Sequence, residues 1–422
     1  MTANVKINGV EAGNVLEGLT IRYGRTKSEG AFPASSCSID LLALDESPFS
    51  VAIRDVLTVD IDSTRLFYGR LTDRRLGIVY SNATDVGTVQ SLIATGVLAD
   101  YGRLTIGTSD YPSESDGARA TRVIAEASPT PPSLDAVSST IDSVRYSLDV
   151  FRTAGLDTVD SGTVTLLARA AKAATPRAII DAELDPSAPG VYETPSGTIG
   201  YADAMRRPRA SSPLVIPTDV ISRDLTIGSG VADVVNQVKV TYGSPSASVT
   251  ADEPLSQAVF GVIKRDITSQ LSLANDASNA ATRLVETRGF AEDNLEALPI
   301  DLENPNLSPT LKASLLAVPF GKPITVSGLD ARLGLGTSWK GFVEGWQVRI
   351  SKARHELILY VSARKFSIPL ATIDPIYTAI NSLTGSINDL ADLWSSQLKI
   401  DNVADTINSV TRTYNSAYTI GT

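Results

Sequence analysis

The sequence predicts an α+β, β-rich protein with two related β-barrel-like domains, a small α/β middle domain and C-terminal amphipathic helices. Three observations predict this class. The stretch Trp339–Phe366 reads as a strand, a polar turn around Lys352–His355 and a second strand. In it Phe342, Glu344 and Trp346 alternate with Val343, Gly345 and Gln347, and Leu357, Leu359 and Val361 alternate with Ile358, Tyr360 and Ser362. A period of two is the mark of paired strands. Thr64–Tyr80, TRLFYGRLTDRRLGIVY, has a similar outline: apolar residues, an internal Gly, a charged turn, then a β-rich strand. Finally, 30 Gly and 22 Pro, with many Ser and Thr, favour short strands and turns over long helices. Neither stretch contains catalytic chemistry, which points toward a scaffold.

A chain of 422 residues exceeds one ordinary core, so several domains are expected. We place them at 1–130, 131–210, 211–369 and 370–422. Hydrophobic content of 43% and charged content of 20% are those of a soluble globular protein. The net charge of −10 argues against a nucleic-acid reader, whose footprint is a basic face. An acidic surface is compatible with DNA passing nearby without sticking. No apolar run approaches the roughly 20 residues of a bilayer span. The opening MTANVKINGVEAG has no h-region, so no signal peptide is expected. A single cysteine, Cys37, cannot form an internal disulfide and implies no oxidising compartment.

Taken in order, Val5–Val10 and Leu19–Gly24 read as the first strands, joined by a turn bearing Gly and Asn. Cys37–Leu44 alternates Ile39, Leu41 and Ala43 against Ser38, Asp40 and Leu42, and is another strand. Val56–Ile61, Arg65–Leu71 and Leu76–Tyr80 follow, at the spacing of a sandwich or small barrel. Thr84 is placed to cap a helix running to about Ala94, with Val86, Val89, Leu92 and Ile93 on one face and Gly96 at its end. A second helix is expected over Ser115–Ala127. Ala127–Ser133, ASPTPPS, is a linker, because consecutive prolines remove backbone donors and favour extended chain. Val164–Leu167 is a short strand. Thr175-Pro176 starts a helix, with Thr as N-cap and Pro at N1, leading into Ile179, Ile180 and Leu184. Val191–Thr194, the turn Pro195-Ser196-Gly197 and Ile199–Asp203 form a hairpin.

From Leu214 strands return, and Val234–Tyr242 alternates Val238, Val240 and Tyr242 against Lys239 and Thr241. Asp276–Arg288 is helical, with a stripe of Ala277, Ala280, Ala281, Leu284 and Val285 and Gly289 at its end. Pro305–Pro309 marks a loop before a strand at Ile324–Val326. Asp374-Pro375 then opens a segment of different character. Ile373, Ile376, Ile380, Leu383, Ile387, Leu390 and Trp394 recur three and four apart, and Val403, Ile407, Val410 and Tyr414 repeat the pattern. Gly385 in the middle costs this helix about 1 kcal/mol relative to Ala. The stripe fits either a helix lying on its own domain or a surface for self-association or partner docking. Ile376, Ile380, Leu383, Ile387, Leu390 and Trp394 are the candidate contact residues.

Four stretches resemble, in the same order, the minor tail proteins of long-tailed bacteriophages, of the baseplate-hub or tail-tip type. They are GVLADYGRLTIGTSDYPSESDGARATRVIAEA (Gly96–Ala127), GVYETPSGTIGYADAMRR (Gly190–Arg207), VADVVNQVKVTYGSPSASVTADEPLSQAVFG (Val231–Gly261) and GFVEGWQVRISKARHELILYVSA (Gly341–Ala363). With the N-terminal strands the resemblance runs over most of Met1–Phe366 and leaves residues 370–422 uncovered. It implies a homotrimeric ring at the tail tip of the virion, each subunit giving two similar β-barrel domains, so that three chains meet sixfold rings above. It further implies contacts with the distal tail protein, the tail tube and the tape-measure protein, and with tip or fibre proteins at the C-terminus. DNA would cross the central channel without specific binding.

The chemistry of other functions is sparse. His355, the only histidine, lies between Arg354 and Glu356 in a predicted turn, a poor place for the base of a triad, and is expected to be solvated. One His and one Cys exclude the usual zinc sites. Cys37 is expected to pack as a small hydrophobe. Gly228-Ser229-Gly230 lacks the third Gly and the Lys-Ser/Thr of a phosphate loop, and reads as a turn. Asp110, Glu114 and Asp116 share a loop without calcium-loop spacing and are expected to be solvated. No cofactor, metal or catalytic residue is expected. The competing class is a tail-associated cell-wall hydrolase or carbohydrate-binding protein. The aromatic content of 6% weakens the sugar-binding form, and the missing His or metal constellation weakens the hydrolase. A carboxylate pair needs no signature spacing and stays open.

Overall fold

The computed structural model describes residues 3–12, 14–27, 31–43, 51–80, 86–127, 156–210, 212–222, 225–291, 293–352 and 354–363. Seven strands come first: β1 (Ala3–Ile7), β2 (Val10–Glu11), β3 (Asn14–Gly24), β4 (Ser36–Ala43), β5 (Val56–Ile61), β6 (Thr64–Tyr80) and β7 (Val86–Gly96). The middle of the chain adds β8 (Glu114–Ser115), β9 (Leu156–Val159), β10 (Thr165–Leu166), β11 (Gly190–Glu193) and β12 (Ile199–Ala202). There follow β13 (Leu214–Pro217), β14 (Ile227–Gly228), β15 (Gln237–Tyr242), β16 (Ala247–Asp252), β17 (Lys264–Thr268), β18 (Asn294–Leu295) and β19 (Ala297–Asp301). The last three are β20 (Pro323–Ser327), β21 (Ser338–Ser351) and β22 (Arg354–Ala363).

Among the described residues, twelve strands join one sheet in the order β13-β20-β21-β3-β4-β7-β6-β5-β1-β2, with β22 on the other edge of β21 and β19 beyond it. The β-rich modules at the two ends of the sequence are therefore continuous in space. The strand that joins them is β21. Its first part pairs with β20, from Ser327 opposite Ser338 to Pro323 opposite Phe342. Its second part pairs with β3, from Gly345 opposite Gly24 to Ile350 opposite Leu19. The register against β22 shifts between Val343 and Gly345, so Glu344 is the extra residue of a bulge where β21 changes neighbours. Alternate side chains fill the core: Leu19, Ile21, Ile39, Leu41, Leu57, Val59 and Ile61 in the first half, and Val343, Val348 and Leu359 in the second, are fully buried. Each such side chain contributes roughly 1.5–3 kcal/mol by leaving water.

A smaller unit fills the middle. β11 and β12 form the expected hairpin, with β9 parallel on the outside of β12. The helix Pro176–Glu183 begins as predicted, with the Thr175 side chain accepting from the Ala178 amide and Pro at the first turn. It packs against the helix Asp116–Ala127, which also touches β9 and β12. The helix Ala274–Arg288 lies on β15 and β16, with Ala277, Ala280, Ala281 and Val285 buried.

The structure corrects two readings and adds two helices. Thr64–Tyr80 is one 17-residue strand, not a hairpin. Its charged stretch has no turn residue, and Asp73, Arg74 and Arg75 are solvated along the strand after a bulge between Leu71 and Asp73. The repeat of two hairpins therefore does not hold in that form: β6 pairs with β7, whereas β21 and β22 make a true hairpin. The helix expected over Thr84–Ala94 is strand β7, hydrogen-bonded on both edges by β4 and β6. Gln90, Leu92 and Ala94 point inward and Ile93 outward, so a buried glutamine masked the period of two. The loop expected at Pro305–Pro309 is present and is followed by an unexpected helix, Pro309–Leu316, capped by Ser308, whose hydroxyl accepts from the Leu311 amide. Finally, Pro254–Phe260 is a short helix where none was expected. The linker Ser128–Ser133 lies outside the described residues.

Where β3 meets β21, Gly24 has a φ of +72° and a Cβ built on it would stand 2.5 Å from the Glu344 carbonyl oxygen. Gly24→Ala is expected to destabilise the fold by at least about 1–3 kcal/mol, since both the backbone conformation and the contact oppose a side chain. A urea midpoint equal to that of the wild type would show that the two modules do not depend on this close approach.

Candidate functional site

The bulge on β21 sends the Glu344 carboxylate into the interior, where the residue is wholly buried. An ionised carboxylate survives there only with charged or hydrogen-bonding partners. Arg25, one residue past β3, donates from Nε to Glu344 Oε2 at 2.8 Å, and Arg207 donates from Nη2 to both oxygens at 2.6 and 2.7 Å. The Ser362 hydroxyl on β22 also donates to Oε1. Burial alone would raise the Glu344 pKa. The Arg207 and Arg25 charges, with the Ser362 and Arg25 hydrogen bonds, outweigh it and hold the carboxyl at about 2. The backbone adds to the lock, because the Arg25 amide donates to the Glu344 carbonyl at 3.1 Å. The first module, the middle unit and the last hairpin thus meet on one side chain.

Other buried charges make comparable joints. Glu193, at the end of β11, accepts from the Leu98 amide at 2.7 Å and from the Ser35 amide, tying the middle hairpin to the first module. A Cβ on Gly96 would collide with this carboxylate, which would then have to shift away from Ser35 and Leu98. Burial pushes the Glu193 carboxyl above its ordinary range. Asp116 accepts from the Thr163 amide at 2.9 Å and from the Tyr201 hydroxyl, and burial raises its pKa as well. Arg119 is fully buried and bonds Glu114 at 2.8 Å, Glu183, and the carbonyls of Pro112 and Leu167 at 3.0 and 2.9 Å.

These contacts relocate the residues singled out by the sequence. Of the three carboxylates expected to be solvated, Asp110 is exposed and accepts from the Ala171 amide at 2.5 Å, whereas Glu114 pairs with Arg119 and Arg122 and Asp116 is buried. Each faces a different partner. His355 is not in the turn but on β22, with Nδ1 3.0 Å from Glu303 Oε1. Cys37 is fully buried on β4, and burial drives its thiol pKa up, away from thiolate chemistry. Gly228-Ser229-Gly230 runs from the end of β14 into a short 3₁₀ turn, Val231–Asp233. Ile376, Ile380, Leu383, Ile387, Leu390 and Trp394 lie outside the described residues. Among the described residues no three His, Cys, Asp or Glu side chains gather closely enough to hold a metal ion, and no helix is long and apolar enough to cross a membrane. Glu344, Glu193 and Arg119 went unnoticed as junctions. One signal was present: Glu344 is in phase with Phe342 and Trp346, so a strand burying those two also buries a carboxylate.

Replacing Glu344 by Gln leaves two buried guanidinium groups facing a neutral amide, and is expected to cost about 3–5 kcal/mol at neutral pH. The wild-type carboxyl titrates near 4.5 when unfolded and about 2 when folded, so the unfolded chain takes up the proton first. Its contribution, about 3 kcal/mol, is complete above pH 4.5 and disappears as pH falls toward 2. Asp116 and Glu193, with raised pKa values, act in the opposite sense, so the comparison must be with Glu344→Gln. Chemical denaturation across this window should show a steeper acid loss in the wild type. Parallel profiles would rule out Glu344 as the charged centre of the joint.

No protein-family model matches the sequence, and no curated protein matches it by sequence. Solved structures do match. The tail protein of Neisseria meningitidis MC58 superposes with a TM-score of 0.57 at 12% identity, over 87% of this chain and 99% of that one. The 43 kDa tail protein of prophage MuSo2 from Shewanella oneidensis gives a TM-score of 0.55 at 9% identity, again over 87% of this chain and 99% of that one. Identities this low speak for the fold alone, and the fold of this chain is that of these tail proteins.

Proposed function

We propose that the protein is a structural, non-enzymatic component of a bacteriophage tail tip. In this reading three copies form a hub that joins the tail tube and distal tail ring to tip or fibre proteins and surrounds the channel of the tape-measure protein and DNA. The observation that carries it is the match in fold to two tail proteins, one of them from a prophage, along almost their whole length. The joints support it. A ring subunit must hold its β modules at a fixed angle, and a continuous sheet locked by Glu344, Arg25 and Arg207 does that without relying on loops. The stripe Ile376, Ile380, Leu383, Ile387, Leu390 and Trp394 then serves for bundling on the threefold axis or for holding a partner.

Light scattering of the purified full chain is expected to give the mass of three subunits. A monomer that binds or cleaves peptidoglycan would overturn the proposal in favour of a cell-wall enzyme or lectin. Removal of Asp374–Thr422 is expected to reduce trimer formation or partner attachment while leaving the thermal unfolding of the β modules in place. Unchanged assembly would assign the stripe to packing on its own chain.

A further inference from the structure

Beside the Glu344 joint lies a cleft of about 380 Å³, within the size range of small-molecule sites. Its walls come from the end of β3, the helix Pro176–Glu183 and the loop after it, β17, and the helix Ala274–Arg288. Six of its lining residues are arginine and two are aspartate. The arginines are graded in depth. Arg25, Arg207 and Arg288 are buried at the floor, the Arg177 and Arg283 side chains are 25% and 16% exposed, and Arg265 stands exposed at the mouth. Asp181 holds Arg177 at 2.8 Å, and Asp185 lies 3.5 Å from Arg283, whose Nη1 also donates to Ser187 Oγ at 2.7 Å.

The positive charge is concentrated against the trend of the molecule. With Glu344, which lies on Arg25 and Arg207, the cleft and its floor carry +3 from nine residues, so the rest of a chain of net charge −10 carries −13. Burial lowers the Arg207 pKa and Glu344 raises it, but Arg25 and Arg288 lower it again, so the guanidinium groups at the floor crowd one another. An anion entering the cleft relieves that crowding. A single carboxylate would offset one charge of three, whereas a multiply charged oxyanion offsets several and matches the planar donor forks of arginine. The acidic exterior does not prevent entry, since at physiological salt its repulsion is screened beyond about 8 Å.

We propose that this cleft binds a compact, multiply charged phosphate-type oxyanion, with Arg265 and Arg283 as its accessible contacts. The site is additional to the assembly role argued above and stands whether or not three chains form a ring.

Calorimetric titration of the full chain with inorganic pyrophosphate tests it. The expected result is saturable binding of one pyrophosphate per chain, weakening with added salt, with acetate far weaker. Arg265→Ala and Arg283→Ala should each weaken binding roughly tenfold or more, as the loss of a charge-assisted hydrogen bond does. Arg332→Ala, which removes an exposed arginine paired with Asp330 outside the cleft, should leave binding unchanged. Arg265 is exposed, so its variant keeps the fold readable, and matching thermal unfolding confirms that it does. Absence of saturable heat, or equal binding by all three variants, overturns the proposal. Tighter binding of a glutamate-rich peptide than of pyrophosphate, lost in the same two variants, also overturns it and assigns the cleft to an acidic protein segment.

Discussion

The arrangement of the whole chain depends on how β21 divides its edge between two partners. A strand that pairs first with β20 and then with β3 must step sideways between them, and the step is the bulge at Glu344. The carboxylate it turns inward is costly alone and satisfied only when Arg25, Arg207 and Ser362 have all arrived. Slipping β21 by one residue against β3 would bring Val343 or Gly345 to that point and leave two arginines buried without their carboxylate, in addition to reversing the faces of the strand. The ionic joint therefore acts mainly as a selector of register and of module placement. Its net contribution to stability is smaller than its distances suggest, because desolvation offsets much of the attraction.

Buried polar joints recur in each stretch that resembles the tail-tip proteins, and in three of the four they are charged. Gly96–Ala127 contains Arg119 and Asp116, Gly190–Arg207 contains Glu193, Tyr201 and Arg207, and Gly341–Ala363 contains Glu344. In Val231–Gly261 the buried residue is neutral: Asn236 donates to Ser256 Oγ at 3.1 Å and to the Gly261 carbonyl at 2.7 Å, while its own carbonyl accepts from the Ile263 amide at 2.7 Å. Buried polar groups with fixed partners tolerate fewer alternatives than apolar contacts do.

Much of the β architecture could be read from alternation, because strands such as β4, β15 and β22 put apolar side chains at every second position. The helix at Pro176 could be read because its Thr-Pro cap is a local signal, and the analogous Ser308-Pro309 pair marks the start of the helix Pro309–Leu316. What failed were positions where tertiary pairing overrode a local pattern. β7 carries Val and Leu at helical spacing, but neighbours on both edges make it a strand, and Gln90 is buried among them. The junctions were hidden for a related reason. Arg25, Arg207 and Glu344 are far apart in sequence, and no spacing rule brings together residues separated by 319 and 137 positions.

The choice of arginine over lysine at these joints follows from what the cation must do. Around Glu344, Arg25 lies 4.7 Å from the Phe32 ring centre and 5.6 Å from that of Phe320, while Arg207 lies 5.4 Å from Phe320 and 5.7 Å from Phe342. Tyr111 is similarly approached by Arg119, Arg122 and Arg169 at 5.2, 5.6 and 5.2 Å. A guanidinium group can lie flat on a ring and present its edge to a carboxylate at once, whereas an ammonium is a compact, strongly hydrated point that does one or the other. The aromatic residues of this chain are few, and these four are buried beside its charges rather than displayed outside. Trp339 and Trp346 are buried as well. These four rings thus back the ionic joints between parts of the fold.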